Sequence, residues 1–459
     1  MVTATSDFGA LRATLLPAMR ADQPMHQKRL EWNRAEILSH QRSALRDLLE
    51  YAMEHSPFHA QRLAGIDPAS VDPDDMAALP VMTKAEMMSS FDDVVTDRRL
   101  TRTLVEHALT RTANEPVPIL GSYIAYASGG SSGVRGVFVY DHVAIRQLIG
   151  SFTRGIVRRL QAMGGTLPPG GIPIAYVAAG NAVHQTGSAE ALTAGGTLGF
   201  HYVNVPATQP LTEVVARLND IRPPFLAGYP SMLARLAIEQ QEGRLHVSPI
   251  AVTASSEPLS SAAAELIGRA FGAPLVSTFG ATEGLIGSTL PNDDVMVFAE
   301  DGCIVELVDE ENRPVPPGTP SAKVLVTTLA NRLQPLIRYE LTDRFVRLPE
   351  VSDHGYLRAT VEGRADDAFR YGTVTVHPLV IRSVFVTTPG VTEYQVRQTG
   401  DGLDVLLVAE RPVDTDGVTE RLRAALDHAG VIKPHVNVTE VAELARSSAG
   451  KVRRFVPLT

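Results

Sequence analysis

Along the middle of the chain, short apolar runs alternate with longer stretches of helical periodicity. "PIAYVAAG" (173–180), "FLAG" (225–228), "IAVTAS" (250–255) and "PLVSTFG" (274–280) are each brief and mostly end on a small residue. Such runs predict buried strands. "SMLARLAIEQQ" and "SAAAELIGRAF", which lie between them, repeat their apolar residues at helical spacing and predict helices. Strand, turn, helix, strand in this order predicts parallel strands joined by crossover helices. In such sheets ligands gather at the carboxyl ends of the strands. Those ends carry "GYPS", "SSEP" and "FGATEG".

The flanks read differently. Ile37, Leu38, Leu45, Leu48, Leu49 and Ala52 recur at helical spacing, which predicts an amphipathic helix within 30–55, broken at Pro57. Near residue 361, "GYLRATVEGRADDAFRYG" is charged and punctuated by glycine, and reads as a linker. Beyond it come an alternating strand "LDVLLVAE", a helix "GVTERLRAALDHAG" and a strand "VNVTEV". The expected fold is α/β. A large N-terminal domain (1–361) holds mixed and parallel sheets with crossover helices, and a small mobile α+β domain (362–459) follows.

Composition narrows the function classes. At 459 residues the chain exceeds one core. With 44% hydrophobic and 20% charged residues it reads as globular, not disordered. A net charge of −9 gives no electrostatic reason to bind nucleic acid or an anionic membrane. Cys303 is the only cysteine, which excludes an intramolecular disulfide and a cysteine-based zinc site. The N-terminal stretch carries Asp7 and Arg12 where a signal peptide would be apolar, and no run reaches membrane-spanning length. The expected location is cytoplasmic.

"YASGGSSGVRGVFVYDH" (126–142) concentrates glycine and serine before a strand-like run. Glycine permits positive φ and close approach to a ligand. Successive backbone N–H groups in such a turn make a nest for phosphate. A plain flexible loop has the same composition. No Lys-Ser or Lys-Thr closes the run, so it is not a Walker loop.

Six motifs stand in one order: the Gly/Ser loop, "TASSEP", "STFGATEG", "LIRYELTDRF", "EGRADD" and "SSAGKVRR". In this they resemble the adenylate-forming enzymes, which comprise acyl-CoA synthetases, nonribosomal adenylation domains and luciferases. "HSPFHAQRL", "LPVMTKAEM" and "GYPSML" are similar to the phenylacetate–CoA ligase branch. The resemblance runs from about Leu30 to the end. It implies that a carboxylate attacks the α-phosphate of ATP to give an acyl-adenylate, from which a thiol or another nucleophile displaces AMP.

The same resemblance implies roles. Ser128, Gly130, Ser131, Ser132 and Gly133 hold the β- and γ-phosphates. Ser256, Glu257 and Pro258, with Ser255, flank the adenine, and Phe279 and Gly280 belong to the ATP site. Thr282 meets the α-phosphate and Glu283 binds Mg²⁺. Asp343 grips the ribose, with Arg364 beside it. Asp366 is the hinge, and Lys451 reaches the α-phosphate and the attacking carboxylate. His184, Tyr229 and Gly280 border the acid pocket. His377 and Pro378 receive no role.

The chain departs from the family at the loop lysine, where Val134 stands and Arg135 follows. Either the Arg135 guanidinium binds phosphate, in a bidentate way, or it faces solvent. Arg370 replaces a lysine often found after the hinge, which leaves the acceptor open. CoA is the leading acceptor, with Arg370, Arg382 and Arg397 as its phosphate contacts. A carrier-protein thiol or a nitrogen nucleophile is the alternative, and a non-catalytic nucleotide-binding partner a third reading. The expected substrate is a small, aromatic or similar carboxylic acid. A homodimer is left open.

Overall fold

The computed structural model describes residues 8–458 except 129–135, 166–170, 179, 208, 210, 258, 350–354, 365–368, 373, 377–379, 382–383, 386–387, 389–390, 410–411 and 446–453. Two long helices, α1 (Phe8–Arg29) and α2 (Arg34–His55), lead into four shorter ones, α3 (Pro57–Arg62), α4 (Lys84–Ser89), α5 (Phe91–Val94) and α6 (Arg102–Arg111). α2 falls within the stretch the periodicity predicted. Asn33 and Glu36 form a capping box at its start, each side chain satisfying the other's backbone N–H.

A hairpin of β1 (Ile124–Ala127) and β2 (Val137–Tyr140) precedes α7 (His142–Ala162). Then come β3 (Ile172–Ala178), α8 (Ala189–Thr193), β4 (Phe200–Pro206), α9 (Leu211–Ile221), β5 (Phe225–Gly228), α10 (Pro230–Gln241), β6 (Ala251–Ser255), α11 (Ser261–Phe271) and β7 (Leu275–Gly280). These strands are parallel, as the alternation predicted. β8 (Ile286–Ser288), β9 (Met296–Phe298), β13 (Asp343–Arg347) and β14 (Arg358–Arg364) extend the same sheet antiparallel, in the order β13-β14-β9-β8-β7-β6-β5-β3-β4. β10 (Cys303–Val308), β11 (Lys323–Thr328) and β12 (Tyr339–Leu341) form a second sheet.

Strand alternation sorts the large sheet into two faces. Ala175, Val177, Leu226, Val252 and Ala254 pack with side chains of α9, α10 and α11. Ile174, Tyr176, Ala178 and Ala227 belong to the opposite core, which includes residues of α1 and α7. α1 crosses α7 at Gly150, where an added Cβ would fall 2.0 Å from His26 Nε2. Nearby, the Asp301 carboxylate is wholly buried between Arg154 and Arg29, the latter at 3.2 Å. Glu300 pairs with Arg34 at 3.1 Å. These pairs bind the N-terminal helices to the β9–β10 turn.

After β14 the chain builds a separate core from Phe369 to Phe455. It holds the hairpin β15 (Phe369–Tyr371) and β16 (Val374–Val376), the helix α12 (Thr415–His428), and a sheet ordered β19 (His435–Glu440), β18 (Gly402–Ala409), β17 (Val391–Gln398), β20 (Phe455–Val456). One expectation needs correction. Residues 358–364, read as linker, form β14, paired on both sides to β13 and β9. Its charges occupy a strand that still buries Ala359 completely. Among the described residues no helix is long and apolar enough to cross a membrane.

Candidate active site

The Gly/Ser segment springs from a closed neck. The Ser128 N–H donates to the Gly136 carbonyl at 2.9 Å, and the Gly136 N–H donates to Ser128 Oγ at 3.0 Å. A Cβ at Gly136 would come 2.8 Å from that oxygen and from the Phe138 ring, so the neck needs glycine. Gly130, Ser131, Ser132, Gly133, Val134 and Arg135 lie outside the described residues, as do Pro258, Asp366, His377, Pro378, Arg382 and Lys451.

β2 carries this neck to the next motif. The Tyr140 hydroxyl donates to the Thr282 carbonyl, and the residue is 3% exposed. Burial, together with the nearby Glu283 carboxylate, holds its phenol well above the ordinary value, so it remains a donor. Its ring lies 5.8 Å from that of Tyr126, whose hydroxyl accepts from Ser188 Oγ at 3.0 Å. "FGATEG" itself is a reverse turn. The Ala281 N–H donates to the Leu285 carbonyl and the Gly284 N–H to the Ala281 carbonyl, both at 2.9 Å, with Gly284 at φ +110°. The turn leads into β8, not into a helix. Glu283 is buried within it.

At the end of β6, Ser256 holds φ +64°, a left-handed backbone that costs a non-glycine residue about 1 kcal/mol. Such strain concentrates at ligand-facing turns. Ser255 Oγ lies 2.9 Å from the Tyr176 hydroxyl. Glu257 accepts from Arg454 Nη1 at 2.6 Å, and Arg454 also lies over the Tyr394 ring. This bond brings Arg454 to the carboxyl end of β6.

Asp343, buried at the start of β13, stands directly opposite Arg364, the last residue of β14. Phe279 packs edge-on to Phe345, 5.2 Å between centroids, which ties β13 to β7. His184 Nδ1 lies 3.2 Å from the Ala127 carbonyl, at the mouth of the β1–β2 hairpin. Tyr229 is half-buried after β5, its N–H donating to the Val177 carbonyl at 3.2 Å. Gly280 ends β7 beneath Phe152 of α7. Arg370 and Arg397 are both exposed, and the Gln398 side chain bonds the Arg370 backbone.

The structure thus unites the ends of β1, β2, β6 and β7 with the starts of β8 and β13. Tyr140 and Arg454 were missed by sequence reasoning. The only signals were an aromatic closing "VFVY" and the last arginine of "KVRR".

No model of a known protein family matches the chain, and no curated protein matches it in sequence. Solved structures do. A 2-hydroxyisobutyryl-CoA ligase in the postadenylation state, bound to R3-HIB-AMP, superposes with a TM-score of 0.69 at 20% identity, over 94% of this chain and 91% of that one. The same ligase with 2-HIB-AMP and CoA in the thioesterification state gives 0.60 at 20% identity, over 94% and 91%. An anthranilate–CoA ligase with anthranoyl-AMP gives 0.53 at 20% identity, over 72% and 65%. The chain therefore has the fold of the adenylate-forming acyl-CoA ligases.

Proposed function

We propose that this protein activates a small carboxylic acid as its acyl-adenylate at the expense of ATP, then transfers the acyl group to CoA. The observation that carries the reading is the bond from Tyr140 to Thr282. It joins β2, the strand that follows the Gly/Ser segment, to the "FGATEG" turn, which supports a reading in which both motifs serve one nucleotide. The similar structures are ligases captured with acyl-AMP, one of them with CoA as well.

Two anions must meet in this reaction, so catalysis is chiefly positioning and charge neutralisation. The 128–136 neck presents the Gly/Ser loop to the β- and γ-phosphates, with Arg135 in place of the usual lysine. Thr282 faces the α-phosphate. Ser256 and Glu257 border the adenine, and Asp343 holds the ribose hydroxyls with Arg364 alongside. Lys451 brings a positive charge to the attacking carboxylate, on a segment able to leave afterwards by rotation about Asp366. His184, Tyr229 and Gly280 border the acid. Arg370 and Arg397, both exposed, meet the phosphates of CoA.

Glu283 is a single buried carboxylate, and among the described residues no cluster of three or more metal-ligating side chains exists. That donor set fits Mg²⁺ held mainly by nucleotide phosphate and water. When bound, the ion supplies charge neutralisation at the phosphates. Pyrophosphate exchange across a panel of acids tests adenylation, and acyl-CoA formation on adding CoA tests the acceptor. Exchange with no acid refutes the first step. Acyl-adenylate accumulating beside unchanged CoA would refute the second and redirect the acyl group to a carrier-protein thiol or a nitrogen nucleophile.

A further inference from the structure

Half-buried side chains under α7 mark a cleft, and a buried positive charge borders it. Register places Tyr176, Ala227, Thr253 and Val276 in one row across β3, β5, β6 and β7, and Ser255, Thr278 and Ser288 in a second row across β6, β7 and β8. Their neighbours Val177, Leu226, Val252 and Ala254 point into the opposite core, so both rows face α7. The helix lies close over β7 and β8. A Cβ at Gly280 would meet Phe152 at 3.2 Å, and a Cβ at Gly155 would meet Ser288 Oγ at 3.3 Å. Toward β6 the rows are small, with Ala227, Thr253 and Ser255. Thr253, in the middle of a central strand with helices on both faces, stays only half-buried. Tyr202 and Thr278 are half-buried likewise.

Arg159, two helical turns beyond Phe152, closes this cleft. It is 7% exposed. Its Nη2 donates to the Ser277 carbonyl at 3.0 Å and to Thr278 Oγ1 at 2.6 Å, and its Nε donates to the Thr289 carbonyl at 3.3 Å. All three acceptors are neutral, and Nη1 donates to none of the described residues. Among those residues no carboxylate pairs with it. The buried arginines Arg154 and Arg338, by contrast, are matched by Asp301 and Glu306. Burial lowers the Arg159 pKa to about 10, which leaves the guanidinium charged at neutral pH. A buried charge is tolerated when an anion or a full hydrogen-bond set accompanies it. The position matters too. Gly280 is at the reacting end of β7, and Thr278 lies two residues deeper, about 7 Å along the strand.

Resting on the adenylation reading, we infer that Arg159 receives a second carboxylate of the acid substrate, which makes the preferred substrate a small dicarboxylic acid with its charges one ring or a short chain apart. Nη1 supplies the free donor, and the half-buried Tyr202 phenol, whose pKa burial raises to about 12, remains protonated near it.

Matched pairs of acids test this directly: benzoate against terephthalate, and hexanoate against adipate. In wild-type protein the diacid should exceed the monoacid in pyrophosphate-exchange kcat/KM by about 100-fold, the order expected when the monoacid leaves a buried donor unpaired. In Arg159→Met that ratio should collapse, with the loss concentrated on the diacid, and Arg159→Lys should recover part of it. Wild-type preference for the monoacids overturns the inference without any variant. So does a ratio that survives Arg159→Met in folded protein. Thermal shift separates this from failure of adenylation itself. If no acid supports exchange, stabilisation by a diacid that Arg159→Met abolishes still upholds the subsite, and its absence removes it.

Discussion

Tyr140→Phe is the most informative single change. It deletes one oxygen and keeps the ring, so the packing against Tyr126 survives and no cavity opens. What disappears is the donor to the Thr282 carbonyl. A buried acceptor left without its donor costs about 1–3 kcal/mol. The fold need not bear that cost, because the 281–284 turn can shift until the carbonyl finds water. On the proposed reading, the shift would displace Thr282 and Glu283 from the nucleotide phosphates. The expected result is a fall in kcat/KM for MgATP of roughly ten- to a hundredfold, at about 1.4 kcal/mol per decade, with a small change in melting temperature. Steady-state pyrophosphate exchange measures the first and thermal unfolding the second. A variant that melts several degrees lower yet exchanges at the wild-type rate would show that the bond serves the fold alone.

Asp301→Asn should destabilise the protein by about 3–5 kcal/mol, because Arg154 and Arg29 would lose their shared buried counter-ion; urea denaturation measures it. Stability should also fall as pH drops from about 6.5 to about 4. His59 is buried, its Nε2–H donates to the Pro335 carbonyl, and burial with the Arg62 charge lowers its pKa to about 4. The unfolded chain therefore takes up a proton in that window that the folded one refuses, worth up to about 3 kcal/mol, and the full stability stands above pH 6.5. His59→Gln should flatten that part of the stability–pH curve. Lys451→Ala should abolish pyrophosphate exchange while melting like the wild type; exchange at an undiminished rate would remove Lys451 from catalysis.

The parallel half of the large sheet was legible because each strand is a short apolar run stopped by small residues, with a helix between. The strand ends that carry the candidate site followed from that pattern. β14 was not legible. Arg358, Glu362 and Arg364 carry linker-like charge, and only pairing to β13 and β9 reveals the strand. Tyr140 was silent because its partner is 142 residues away, and a tyrosine ending "VFVY" reads as core. Arg159 and Arg154 look alike along α7. Their difference, a counter-ion for Arg154 and none for Arg159 among the described residues, comes from Asp301, which is 147 residues distant from Arg154. Long-range pairing of this kind has no local signature.

The facing of Asp343 and Arg364 across β13 and β14 bears on the order of events in turnover. Both positions belong to the large sheet, and the chain leaves that sheet only after Arg364. If the joint proposed at Asp366 exists, Asp343 and Arg364, the residues proposed for the ribose, stand on the large-sheet side of it. On the proposed reading, a swing of the C-terminal part that withdraws Lys451 would not pull on the nucleotide half of the intermediate. An acyl-adenylate formed in the first step would stay seated through the exchange, and AMP would depart after the acyl group has left it. Turnover would then be ordered by architecture, with retention of the intermediate built into where one strand ends.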